Sequence, residues 1–195
     1  MDAIVFDLDG TLLKFTREYE NVLRDTFTET VGHSKQEWID EYNKLFYENF
    51  ENINERPYHK SFLQLDIDYP SRVLVDTLQE KEIEMCEVPK NCKKILDRLA
   101  KDYKVGVLTN GVVEWQKQKI KNYNMYKYFD DVIVSYETGY HKPNLNVYRY
   151  VENEISADSY TMISDDYIDL RGCRIAGWEG FKYNGEDYDE IYGLV

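Results

Sequence analysis

Two aspartates separated by one residue, Asp7 and Asp9, close a short apolar run and are followed at once by Gly10 and Thr11. Similar endings recur downstream. One apolar run stops at Thr109-Asn110-Gly111, Lys142 precedes Pro143, and another run stops at Ser164-Asp165-Asp166, with Asp169 shortly beyond. Brought to one place, these side chains would form a carboxylate cluster with a lysine and a hydroxyl. Two carboxylates about 4 Å apart repel by roughly 4 kcal/mol at an effective dielectric near 20, and Lys142 offsets only part of that. A hard divalent cation with oxygen ligands resolves the rest. Mg2+ suits such a cluster, because it takes one or two carboxylates and keeps room for a phosphate.

For these residues to meet, the runs that carry them must be neighbouring strands of one sheet, since ligands of open parallel sheets bind just beyond the strands' carboxyl ends. Ala3 to Phe6 reads as a strand buried on both faces. From Phe15 to about Glu87 the pattern becomes helical. Phe15, Tyr19, Val22, Leu23, Thr26, Phe27 and Val31 recur at spacings of three and four, and Gly32 stops that helix. Ser34 and Glu37 form an S-x-x-E capping box that opens a second helix, with Trp38, Tyr42, Leu45, Phe46 and Phe50 on one face. Pro57 and Pro70 punctuate the stretch, a further helix runs from about Ser71 to Glu84, and no strand is expected in this region.

After Pro89 helices alternate with short apolar strands. The expected strands are Lys104–Leu108, Asp131–Val134, Tyr160–Ile163 and the Trp178–Tyr183 run. The expected helices pass through Cys92 to Leu99, through Trp115 and Ile120, through Leu145 to Val151, and from about Asp169 to Ala176. Such alternation indicates a parallel sheet covered by helices on both faces. The fold class is therefore α/β, a Rossmann-like parallel sheet. Residues 1–14 and 88–195 form the core domain, and residues 15–87 an all-helical domain inserted after the first strand.

Composition bounds the rest. The chain has 195 residues, 43% of them hydrophobic, enough for a real core. Its formal charge of −13 lacks the basic footprint of a nucleic-acid binder and is repelled by anionic membrane surfaces. No apolar run approaches the ~20 residues of a membrane span. The start, MDAIVFDLDG, lacks the basic segment of a secretory signal. Cys86, Cys92 and Cys173 form no CxxC pair and read as reduced thiols of a cytoplasmic protein.

The motifs carry a resemblance. VFDLDGTLL, with Asp7 and Asp9, is similar to the first motif of the haloacid dehalogenase superfamily of hydrolases. Thr109 in VLTNG resembles its second motif, Lys142 in GYHKPNLNVY its third, and Asp165 with Asp169 in ISDDYIDLRGCRIAGW its fourth. The order is the family's, and the helical insertion stands where its helical cap stands. The resemblance implies that Asp7 is a nucleophile forming an aspartyl-phosphate and that Asp9 exchanges protons with the leaving alcohol and the attacking water, in acidic surroundings that favour its protonated form. It also implies that Lys142 neutralises charge and that Thr109, Asn110 and nearby backbone N–H groups hold the phosphoryl oxygens. Mg2+ would be held by Asp7, the backbone carbonyl of Asp9 and Asp165. Ser164 stands where the family usually has glycine, which leaves Asp166 as an alternative to Asp169 in support of the metal.

The expected activity is Mg2+-dependent hydrolysis of a small phosphate monoester, such as a sugar phosphate or nucleoside monophosphate. A dehalogenase needs no acid at the Asp9 position. A phosphomutase, a phospho-receiver and a non-catalytic phospho-ligand binder stand as alternatives, and the helical insertion argues against the receiver. His141 reads as structural or exposed. Arg56-Pro57-Tyr58-His59-Lys60 reads as an exposed polar loop, with substrate contacts from Arg56, His59 or Lys60 as the alternative. Oligomeric state leaves no signature in the sequence.

Overall fold

The computed structural model describes residues 1–52, 56–183, 188 and 191. The chain divides into two compact units, Met1–Lys14 with Glu87–Val195, and Phe15–Cys86. The second boundary falls one residue earlier than the sequence pattern suggests. In chain order the elements are β1 (Ala3–Phe6), β2 (Lys14–Phe15), α1 (Tyr19–Val31), α2 (Gln36–Phe50), α3 (Pro57–Gln64), α4 (Ser71–Glu84) and β3 (Cys86–Glu87). They continue with α5 (Cys92–Leu99), β4 (Lys104–Thr109), α6 (Val113–Asn122), β5 (Asp131–Val134), α7 (Ser135–Thr138), α8 (Leu145–Glu154), β6 (Tyr160–Ser164), α9 (Tyr167–Ile175) and β7 (Glu179–Lys182).

The sheet unit is a five-stranded sheet in the order β5-β4-β1-β6-β7. Its ladders are parallel, with Phe6 level with Val107 on one side and Ile163 on the other. All four β1 residues are at most 1% exposed although successive side chains point to opposite faces, so both faces are covered. One side of the core joins Ala3, Val5 and Leu108 to Val147, Tyr148 and Leu170. The chain runs outward from β1 through β4 and β5, then returns to the far side of β1 with β6. That reversal places the crevice at the carboxyl ends of β4, β1 and β6.

In the helical unit α1 packs on α4, and α3 packs on both α2 and α4. Phe62 anchors the aromatic core, with its ring centroid 5.9 Å from Phe27 and 4.5 Å from Tyr42. Gly32 ends α1 in the left-handed conformation at φ +86°, its N–H donating to Thr28 O. Five sequence expectations need correction here. Phe15 lies in β2, not in the first helix, and two-residue strands occupy both margins of a stretch expected to have none. The Ser34–Glu37 capping box does not form: Lys35 is extended and is the N-cap, so Ser34 sits outside the helix and Glu37 reaches only its second position. The buried face of α2 is Ile39, Tyr42, Leu45 and Asn49, with Asn49 Nδ2 bonded to Ser61 Oγ and Gln64 Oε1. Pro57 is buried and opens α3, so the 56–60 stretch is a helix start, where His59 Nε2 lies 3.4 Å from Ser71 Oγ.

In the sheet unit α9 begins at Tyr167, earlier than expected, because the Asp166 carboxylate accepts from Ile168 N and acts as its N-cap. All three cysteines are buried free thiols, and burial pushes the Cys92 thiol up to about 12. No helix among the described residues is long and apolar enough to cross a membrane.

Candidate active site

The loop after β1 is held by its own backbone. Thr11 N and Leu13 N both donate to Leu8 O, at 3.3 and 2.9 Å, and Gly10 N donates to Leu13 O at 2.8 Å. This tight turn requires φ +86° at Gly10, a conformation natural to glycine. Asp7 leaves β1 buried, with its N–H on Ile163 O of β6. Across the crevice, Thr11 Oγ1 donates to Asp165 Oδ1 at 3.2 Å and accepts from Asp165 N at 3.1 Å, so this hydroxyl fixes the Asp165 backbone and side chain together.

Lys142 is the electrostatic centre. Its Nζ lies 2.6 Å from Asp7 Oδ1 and 2.5 Å from Asp169 Oδ2, with all three groups buried. Burial pulls the Lys142 ammonium down, but the two carboxylates outweigh it and leave the group more firmly protonated than an ordinary lysine. The Asp7 value rises as well, for a different reason. Burial, with Asp169 and Asp9 adding repulsion, pushes it up to about 7 against the pull of Lys142. Desolvation also raises Asp165 above the usual carboxylate range, against its hydrogen bond from Thr11. The site therefore carries more carboxylate than its own cations balance. Asp169 is anchored in turn by Ser164 Oγ at 3.3 Å, while its backbone carbonyl accepts from Tyr148 OH.

The Asn110 side chain is committed to the third strand-end loop. Its Nδ2 donates to Lys142 O at 3.1 Å, and its Oδ1 accepts from Lys142 N at 2.8 Å. What Asn110 can offer a ligand is its backbone N–H, and its amide is the bracket that places Lys142. His141 is structural, as its position suggests, with Nδ1 2.9 Å from Ser135 Oγ and its ring against Tyr136.

Asp9 has partners that sequence reasoning missed. Gln116 Nε2 lies 2.8 Å from Asp9 Oδ2, and Lys119 Nζ lies 3.0 and 3.1 Å from its two carboxylate oxygens. The surroundings of Asp9 are thus not simply acidic. Both partners come from α6 at i and i+3, one helix face. The visible signal was their spacing just after Thr109-Asn110-Gly111, but polar residues on a helix read by default as solvated.

A cavity of about 240 Å3 at the carboxyl edge of the sheet is lined by all eight residues singled out from the sequence: Asp7, Asp9, Thr109, Asn110, Lys142, Asp165, Asp166 and Asp169. Asp166 is at the rim, exposed and occupied with capping α9, and Asp169 is turned to Lys142. Among the described residues no three acidic, cysteine or histidine side chains converge to hold a metal by themselves. The oxygen donors that line the cavity include the carboxylates of Asp7 and Asp165. Such a set fits a hard, strongly hydrated cation and not a soft one.

Residues 4–181 match the family described as haloacid dehalogenase-like hydrolase. A protein of Pyrococcus furiosus named glyceraldehyde 3-phosphate phosphatase is 28% identical over 200 residues, covering 97% of this chain and 83% of that protein. One of the same name from Methanothermobacter thermautotrophicus is 26% identical over 101 residues, and there the match spans 50% of this chain and 45% of that protein. The structure of the HAD-hydrolase YfnB from Bacillus subtilis bound to magnesium aligns with a TM-score of 0.77 and 18% identity, covering 98% of this chain and 97% of that one.

Proposed function

The chain belongs to the haloacid dehalogenase-like hydrolase family, and on that premise we propose that it is a Mg2+-dependent phosphatase of small phosphate monoesters, of the sugar phosphate or nucleoside monophosphate type. The observation that carries the reading is the Asp7–Lys142–Asp169 chain of charge in a cavity that Asp9 and Thr109 also line. The names of the relatives and the magnesium in YfnB support it.

Asp7 attacks phosphorus, and the bond from phosphorus to the ester oxygen breaks. Asp9 gives its proton to the departing oxygen. Asp9 then takes a proton from water as that water attacks the aspartyl-phosphate, which releases phosphate and restores the Asp7 carboxylate. Lys142 holds Asp7 in place and neutralises charge on the transferring group, and the backbone N–H groups after Thr109 receive its oxygens. Mg2+, held by Asp7, the Asp9 carbonyl and Asp165, would supply charge neutralisation at the phosphoryl group when bound. The helical unit is assigned the choice of leaving group, as a cap.

The test is phosphate release from a panel of sugar phosphates and nucleoside monophosphates, with and without Mg2+, for the wild type and Asp7→Asn. Mg2+-dependent turnover that vanishes in Asp7→Asn is expected. Turnover surviving the substitution, or no release from any ester, would overturn the reading.

A further inference from the structure

We propose that Gln116 and Lys119 are positioning residues that orient the Asp9 carboxyl group for proton transfer with the leaving oxygen. The inference rests on the phosphatase reading and deepens it. Both side chains are almost fully buried, at 3% and 4% exposure. A buried lysine costs stability unless it is paired, and here it is turned to the Asp9 carboxylate, which is itself partly open to the cavity. Lys119 reaches both oxygens of that carboxylate, and Gln116 reaches Oδ2, so the plane of the group is fixed from one side.

The same Gln116 nitrogen lies 2.9 Å from Thr109 Oγ1 and 2.9 Å from Asn110 O. Gln116 therefore ties the Asp9 loop to the loop that would receive the phosphoryl oxygens, which sets the distance between the group that handles the proton and the group that holds phosphorus. Among the described residues Oδ1 of Asp9 accepts only from Lys119, which leaves it a further position for the proton exchanged with substrate. Gly111 permits this arrangement: at φ +146° it carries no side chain, and a Cβ there would lie 2.9 Å from Gln116 Cγ. Without the clamp Asp9 loses its aim.

The leaving group reads this out. An aryl ester such as para-nitrophenyl phosphate departs as a stable phenolate and needs no proton, whereas an alkyl ester needs one. The experiment compares kcat/KM for para-nitrophenyl phosphate with kcat/KM for the alkyl phosphate that the wild type hydrolyses fastest, in Lys119→Met, Gln116→Leu and Asp9→Asn. The expected result is a loss of about tenfold or more on the alkyl ester in Lys119→Met with the aryl ester within about threefold of wild type, and in Gln116→Leu, which also loosens the loop at Thr109 and Asn110, an alkyl loss about tenfold or more greater than the aryl loss. Retained aryl turnover also shows that the variants fold. If both esters fall together, or neither falls, in the clamp variants while Asp9→Asn discriminates between them, this inference is overturned and the phosphatase reading stands. If Asp9→Asn does not discriminate either, the proton-transfer role of Asp9 fails first.

Discussion

Asp165 packs its carboxyl group so closely on Gly10 that a β-carbon at Gly10 would lie 2.7 Å from Asp165 Cγ and 2.8 Å from Oδ1. The turn after β1 and the end of β6 are thus built as one piece, locked by the paired Thr11–Asp165 hydrogen bonds. A methyl group at position 10 must displace a carboxylate held at both its backbone and its side chain, and φ +86° already disfavours alanine. Gly10→Ala is expected to raise the Mg2+ concentration needed for half-maximal activity by about 10- to 100-fold, the range typical of groups that orient metal ligands. Mg2+ titration of phosphate release measures this. An unchanged titration would remove Gly10 from the support of Asp165.

Adjacent acids at the end of β6 should separate cleanly. Asp165 faces the cavity and Thr11, whereas Asp166 spends its carboxylate on Ile168 N at the start of α9. Asp165→Ala is expected to weaken Mg2+ activation severely. Asp166→Ala should instead lower stability by about 1 kcal/mol, the usual worth of an N-cap, and change the Mg2+ titration less. Thermal melts beside Mg2+ titrations of the two variants decide it, and an equal or reversed effect on Mg2+ would assign the ligand wrongly.

How much of this was legible in the sequence follows from which interactions are local. β1 is buried along its whole length, β4 from Val105 onward and β6 from Met162 onward, so each shows an apolar stretch leading to its site residues. The Asp165–Asp166 ambiguity was visible too, because both stand at the strand end. Gln116 and Lys119 were not legible, since their partner Asp9 lies 107 and 110 positions away and nothing in the periodicity of α6 marks its polar residues as buried. Thr11 and Asp165 pair across 154 positions in the same way. The pattern Ser34-x-x-Glu37 fits a capping box, but the backbone of Lys35 settles where α2 starts. β2 and β3, at two residues each, are too short to show any period.

Protons and cation should compete at Asp7. Its folded value is near 7 against an ordinary 3.8, mainly through burial. Between those limits the folded protein keeps a proton that the unfolded chain has released, so in the metal-free protein this group's contribution to stability declines as pH rises from about 4 to about 7. Asp7→Asn cannot release that proton. The wild-type melting temperature measured with a chelator should therefore fall more steeply across this window than that of Asp7→Asn. Mg2+ binding favours the ionised carboxylate and must expel the proton, so the rise in melting temperature on adding Mg2+ should grow from about pH 5 to above pH 7. In Asp7→Asn the Mg2+ effect should be smaller and nearly flat with pH. Parallel wild-type and variant curves with the chelator would show that Asp7 is ionised in the folded protein throughout. A Mg2+ effect independent of pH in the wild type would show that the cation does not engage Asp7.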